Sequence, residues 1–332
     1  MKRAVAQVAC ATMVMLTAGA AMSDGSSRHQ SDLASIPPMG RMILVNGHHV
    51  HLYCTGAGAP TVILEAGLGW ASLNWAWVQR HIAKTTRVCS YDRPGYGWSD
   101  PSDVPMDAAN TSAQLYALLQ AASEKGPYII VGHSLGGAYA RMFAAEHRTE
   151  AAGLVLLDAT NPSHETTAAE VGLPRLAPAA SAAFLASNDI LWQVAVGLGI
   201  VRSTTVVDVS DFPPDLAPAM KVFLPSLQRA RAAAREGGSL SDTLSQIRPL
   251  GSLGNLPVTV IASDRWVDAD AETAAKRAEW NKRQQRNWLA ISTNSRFLII
   301  PGADHLSLLS NKDHAHAVAD VVVKMAAGRR RH

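Results

Sequence analysis

From Thr61 to Asp158 short apolar runs alternate with stretches of helical spacing, and this alternation limits the fold more than any other property of the chain. TVILEA, RVCSYD, YIIVG and GLVLLD read as strands. A Trp-rich segment through Ile82 and the stretches 108–122 and 135–146 read as helices. Strands joined through helices lie parallel, and a parallel sheet is covered on both faces because the crossover helices pack against them. Upstream, RMILV, an Asn46-Gly47 turn and HHVHLYC carry the signal of a β-hairpin. The alternation returns with VTVIA, a polar helix over 271–290, FLIIPG and a last helix over 313–325. Between these halves, residues 159–254 have no strong strand signal and are rich in Ala, Leu, Pro and Ser. Amphipathic helices are expected there over 179–198 and 227–236. The expected fold class is α/β: a mostly parallel sheet flanked by helices, built from 41–158 and 255–328, with a helical cap inserted over 159–254.

The chain has 332 residues, 48% apolar and 17% charged, enough for one large α/β domain with a sizeable core. Its formal charge of +3 is concentrated at the ends: setting aside Lys2, Arg3, Arg329, Arg330 and Arg331 leaves a body near −2. No basic stripe interleaved with aromatics is present, so nucleic acid is not an expected partner. Residues 1–22 have a positive start, an uncharged run and a small-residue cleavage candidate at Ala18-Gly19-Ala20, the pattern of a secretory signal peptide. A flexible leader over 23–40 follows. Export to the periplasm or secretion is expected, with no stable membrane insertion after cleavage. An uncleaved anchor is the competing reading, because the run from Ala4 to Met22 approaches spanning length. Cleavage would remove Cys10 and leave Cys54 and Cys89, an even pair for an oxidising compartment.

VGHSLGG, Val131 to Gly137, lies between the strand YIIVG and a helix and matches G-x-S-x-G. A serine held on so tight a strand-to-helix turn needs neighbours almost without side chains, which Gly132 and Gly136 supply, while Gly137 lets the helix approach the sheet. The helix N-terminus brings backbone N–H groups and a positive dipole beside Ser134. These features nominate Ser134 as a nucleophile; a Gly-rich turn with a solvated serine is the bland reading.

With this elbow, EAGLG after the strand TVILEA and the YDRPGYGWSD run, the chain resembles an α/β-hydrolase-fold serine hydrolase of the esterase type over 41–325. The resemblance implies an eight-stranded sheet with a helical cap between strands six and seven. It implies an oxyanion hole from the backbone N–H of Leu135 and of Leu68, the latter from Ala66-Gly67-Leu68. It also makes Cys54 and Cys89 neighbours on strands two and four, candidates for a structural disulfide, with two buried thiols as the alternative.

Twelve histidines compete for the role of base. His48, His49 and His51 lie along a hairpin strand, His314 and His316 belong to the terminal helix, and His133 adjoins the nucleophile in a positioning place. None has metal-site spacing, so neither metal nor cofactor is expected. His305, in FLIIPGADHLSLL after the last strand, has the chain order that the resemblance requires of the base. The acid is less settled. In most relatives it follows strand seven, but VTVIASDRWVDAD places Trp266 at that position, with Asp264 two residues early and Asp268 two late. Asp158, ending GLVLLD, is similar in placement to the acid of a subset with it after strand six, and is preferred over Asp264 and Asp268.

The cap offers Leu173, Leu176, Phe184, Leu191, Trp192, Val196 and Phe223 as pocket lining, which favours an apolar small-molecule ester. An amidase, peptidase, C–C hydrolase or acyltransferase on the same three residues is the nearest competitor. A non-catalytic binding protein is a third reading, disfavoured by Ser134 and His305 together. A serine on the elbow argues against epoxide hydrolase and dehalogenase chemistry, which needs an aspartate there.

Overall fold

The computed structural model describes residues 36–163, 208–266 and 270–329. The expected signal and most of the leader, the helix expected over 179–198, Asp268 and all the pocket-lining candidates except Phe223 lie outside the described residues.

An eight-stranded sheet forms the centre. In chain order its strands are β1 (Arg41–Val45), β2 (His48–Thr55), β3 (Thr61–Glu65), β4 (Val88–Tyr91), β5 (Tyr128–His133), β6 (Ala151–Leu157), β7 (Val258–Ser263) and β8 (Ser295–Ile300). Their spatial order is β1-β2-β4-β3-β5-β6-β7-β8. The β1–β2 and β2–β4 pairs are antiparallel, and every later pair is parallel. Asn46 and Gly47, both at positive φ, make the hairpin turn between β1 and β2. Cys54 and Cys89 stand opposite each other across β2 and β4 and are joined by a disulfide.

Helices cover both faces. They are α1 (Ala76–Ile82), α2 (Ala108–Ala121), α3 (Leu135–Glu146), α4 (Ala217–Phe223), α5 (Leu227–Gly238), α6 (Leu240–Ile247), α7 (Ala271–Asn287), α8 (Ser307–Ser310) and α9 (Lys312–Arg329). The two-residue period of the strands sorts the core into two layers. Ile63, Ile130, Leu154, Leu156 and Val260 pack with Leu115, Leu118, Phe143, Leu244 and Ile247 of α2, α3 and α6. Val62, Leu64, Ile129, Val131, Val155 and Ile261 pack with Val78, Ile82, Val318 and Val322 of α1 and α9. A third cluster joins Leu73 and Tyr96 to Leu216, Met220, Phe223 and Ala232, so α4 and α5 rest on the loops at the strand ends. The described part of 159–254 therefore divides by packing: α4 and α5 cover the strand ends, and α6 with Leu253 joins the layer beneath the sheet. Among the described residues no helix is long and apolar enough to cross a membrane.

Candidate active site

The parallel strands deliver Ser134 directly after β5. Its backbone sits at φ 53 and ψ −124, a strained conformation for a residue with a Cβ. Surrounding contacts hold it there: Ser134 N–H donates to Leu157 O at 3.0 Å, and Ser134 O accepts from Gly137 and Thr160 at 3.0 and 2.9 Å. The turn leaves no room for side chains. A Cβ on Gly136 would lie 2.4 Å from the carbonyl oxygens of both Glu65 and Ala66, and one on Gly137 would lie 2.3 Å from the Ala159 Cβ. The loop after β3 thus lies directly on the elbow; a Cβ on Gly67 would be 3.0 Å from that of Ser134. The N–H groups of Leu68 and Leu135, the two donors expected for an oxyanion, have no partner among the described residues.

His305 lies in the turn between β8 and α8. The turn is shaped by Asp304, whose Oδ1 accepts from the N–H groups of Leu306 and Ser307 at 3.0 and 2.9 Å. His133 Nε2 donates to the His305 carbonyl at 2.8 Å, and the two rings lie 4.6 Å apart. Burial, with the nearby His305 second, pushes the His133 pKa down to about 3, so this ring is neutral across the ordinary pH range. Its Nε2–H therefore serves as a fixed donor. The positioning place read for His133 is a hydrogen bond to the His305 backbone.

Of the two carboxylates weighed most heavily as acids, Asp158 is the one the structure brings to His305. Its Oδ2 lies 3.3 Å from His305 Nδ1. Asp264 is half-buried, and its Oδ1 has no hydrogen-bond partner. Asp158 also accepts from Ser263 N–H at 2.9 Å, Ser263 Oγ at 2.5 Å and Asn281 Nδ2 at 2.7 Å. Burial alone would raise its pKa, but the His305 hydrogen bond and charge, with the donors from Ser263 and Asn281, bring it below the usual value. An ionised Asp158 fixes the proton of His305 on Nδ1 and leaves Nε2 as the basic nitrogen.

Asp158 itself sits at φ 41. Its N–H donates to Ile261 O at 2.9 Å. The next residue is clamped by α7: the Gln285 amide accepts from Ala159 N–H at 2.9 Å and donates to Ala159 O at 3.0 Å. Ser263, Asn281 and Gln285 were not singled out by sequence reasoning. The available signal was the spacing of Asn281, Gln285 and Trp288, a helical stripe too polar to read as core, yet all three are buried.

Two tryptophans border the site, Trp70 with its ring 5.6 Å from His133 and Trp266 with its ring 5.5 Å from His305. Trp266 therefore occupies the space beside the histidine from the loop after β7. Two histidines of the hairpin strand are engaged elsewhere, His49 with Asp100 and the fully buried His51 with Asp92. Among the described residues, one group of three metal-ligand side chains lies close together, Cys54, Cys89 and Glu124. Its two sulfurs are joined in the disulfide and offer no thiolates.

A profile of the Alpha/beta hydrolase family matches residues 42–321. An uncharacterised protein of Schizosaccharomyces pombe is 42% identical over 82 residues, which cover 25% of this chain and 15% of that protein. The 2-hydroxymuconate semialdehyde hydrolase of Pseudomonas sp. (strain CF600) is 32% identical over 136 residues, covering 40% of this chain and 47% of that one. The match thus spans less than half the length of either relative. The fold is similar to that of the Cif epoxide hydrolase from Acinetobacter nosocomialis (TM-score 0.65, 17% identity, 90% of this chain and 96% of that one). It is similar also to a thermophilic esterase from Thermogutta terrifontis (TM-score 0.57, 18% identity, 86% and 98%).

Proposed function

The chain belongs to the alpha/beta hydrolase family, and from that premise we propose that it is a serine hydrolase cleaving carboxylic esters of apolar small molecules. One observation carries the reading. A serine held at φ 53 on a strand-to-helix turn shares its site with a histidine whose Nδ1 faces a buried, ionised carboxylate at 3.3 Å. Epoxide hydrolases and dehalogenases of this fold attack through an aspartate on the elbow, and this chain has Ser134 there.

In this mechanism Ser134 Oγ attacks the ester carbonyl and passes its proton to His305 Nε2. Asp158 stays ionised and stabilises the imidazolium through Nδ1–H. The oxyanion accepts from the N–H groups of Leu68 and Leu135. His305 then protonates the departing alkoxide, leaving an acyl-serine. Water, deprotonated by the same nitrogen, releases the acid. Ser134 Oγ has no hydrogen-bond partner among the described residues, and the mechanism requires it to meet His305 Nε2 in the substrate complex. Exposed Leu68 and the neighbouring Trp70 and Trp266 favour an apolar substrate. Export to an oxidising compartment is part of the proposal and is supported by the Cys54–Cys89 disulfide.

A fluorophosphonate probe and a panel of short- and medium-chain esters test the reading on wild type and Ser134→Ala. Wild type is expected to be labelled and to turn over at least one ester, and Ser134→Ala to do neither. Absence of labelling in the wild type would sink the proposal. A carbon–carbon hydrolase on the same residues is the second reading, favoured by the likeness to the Pseudomonas protein. Labelling at Ser134 without turnover of any ester would select it, or an amidase, over the esterase.

A further inference from the structure

The loop that carries Leu68 is fastened from beneath by a buried charge cluster. Arg93, in the turn after β4, is 2% exposed. Its Nη1 donates to Glu65 Oε1 and to Ala66 O, both at 2.7 Å. Its Nη2 donates to Gly67 O at 2.8 Å and pairs with Glu236 Oε1 at 2.9 Å. Glu236 comes from α5, well outside the strands, yet is fully buried. Its Oε2 accepts from Tyr96 Oη at 2.5 Å and from Gly69 N–H at 3.3 Å, and its Oε1 accepts from Tyr139 Oη of α3 at 3.1 Å. One carboxylate thus ties α5 to the elbow helix, to the turn after β4 and to the loop after β3.

The bonds around the loop hold the carbonyls of Ala66, Gly67 and Gly69 and the N–H groups of Gly69 and Trp70. The carbonyls of Ala66 and Gly67 are held by Arg93. The Gly69 N–H is held by Glu236 and by Tyr96 Oη, and the Gly69 carbonyl accepts from Arg229 Nε of α5 at 2.7 Å. Trp70 N–H donates to Gly67 O at 3.1 Å. The N–H of Leu68 is left without a partner among the described residues. The Gly67–Leu68 peptide is trans, so its carbonyl and N–H point in opposite directions within one plane. Arg93 holds the carbonyl edge, which turns the N–H edge away from the guanidinium. Donation into a bonded carbonyl also polarises the peptide and strengthens its N–H as a donor.

We propose that Glu236, acting through Arg93 and Tyr96, is the positioning residue that orients the Leu68 N–H, making α5 a working part of the oxyanion hole. The proposal rests on the serine-hydrolase reading. Glu65 supports the choice of Glu236 over itself: burial, only partly offset by Arg93, raises its pKa to about 7. Near neutrality Glu65 is thus partly protonated and Arg93 needs a second carboxylate. A purely structural role for Glu236, anchoring α5, predicts lost stability and no selective loss of transition-state binding.

The full chain tests this with Glu236→Gln, which keeps shape and removes charge, and Tyr96→Phe, which removes one oxygen from the cluster. The readouts are kcat and KM on a short-chain p-nitrophenyl ester, and affinity for a trifluoromethyl ketone, which forms an oxyanionic adduct on the serine. Loss of a whole oxyanion donor lowers kcat on the order of 10²–10³-fold, and a misaimed one should cost less. Glu236→Gln is therefore expected to lower kcat about tenfold and ketone affinity by a similar factor, with KM within about twofold. Tyr96→Phe should show a smaller loss of the same kind. Unchanged kcat and ketone affinity with a lowered melting temperature would overturn the proposal. If Glu236→Gln does not fold, Tyr96→Phe decides by the same two readouts. A wild type that neither turns over ester nor binds the ketone removes the serine-hydrolase reading and this proposal together. An active wild type with an indifferent Glu236→Gln removes this proposal alone.

Discussion

Asp158 keeps its charge where burial alone would neutralise it, because four donors from three residues reach it: the N–H and Oγ of Ser263, Asn281 Nδ2 and the His305 ring. Asp158→Asn would present an amide to His305 Nδ1 and destroy the preference for the tautomer with a basic Nε2. With the ester substrate, kcat is expected to fall by about 10³–10⁴-fold while circular dichroism stays native. A fall of under tenfold would move the acid elsewhere, with Asp264→Asn the next substitution to measure. Ser134 and His305 were legible as nominations because each has a local signal, a five-residue turn motif and a histidine just past the last strand. The competition between Asp158 and Asp264 was not decidable that way. The donors that hold Asp158 come from 105 and 123 residues away, on β7 and α7, and no local pattern announces them.

At the scale of elements, β2 is bound to β4 by backbone pairing and also by the disulfide between Cys54 and Cys89, 35 residues apart. Closing a loop of that size stabilises chiefly by restricting the unfolded chain, at about 3–4 kcal/mol. Cys54→Ser with Cys89→Ser is expected to lower unfolding free energy by about 2–4 kcal/mol in urea, with kcat per folded molecule unchanged. A loss below about 0.5 kcal/mol would show that the sheet edge holds itself. Elements were well legible where strands read as apolar runs, since β3, β4, β5 and β6 are buried along their lengths. The stretch 159–254 was harder to subdivide. Both α5 and α6 have apolar faces, and whether such a face lies on the strand ends or beneath the sheet depends on a partner distant in sequence.

At the scale of the whole molecule, the buried carboxylates Asp158 and Glu65 have pKa values that move in opposite directions, so each weakens stability on a different side of the pH scale. Asp158 is lowered, so its contribution is complete above the unfolded value near 3.8 and is lost as pH falls through the lower folded value. Glu65 is raised from 4.5 to about 7, so the folded state keeps a proton that the unfolded state gives up. The Glu65 contribution to stability therefore declines as pH rises from about 4.5 to 7, opposite in sign to that of His133, and Glu65→Gln removes the Glu65 decline. Across pH 5 to 8 the gap between wild type and Glu65→Gln is expected to change by on the order of 3 kcal/mol, read from urea midpoints at each pH. A gap constant with pH would show that Arg93 keeps Glu65 ionised throughout. The sheet, finally, does not stop where β6 stops. Asp158 N–H carries the ladder to β7 one residue further, and Gln285 then meets both the N–H and the carbonyl of Ala159 as a neighbouring strand would. A single side chain thus stands in for one rung of a missing strand. That borrowed rung lets the backbone turn sharply at Asp158 without exposing a raw sheet edge beside the serine.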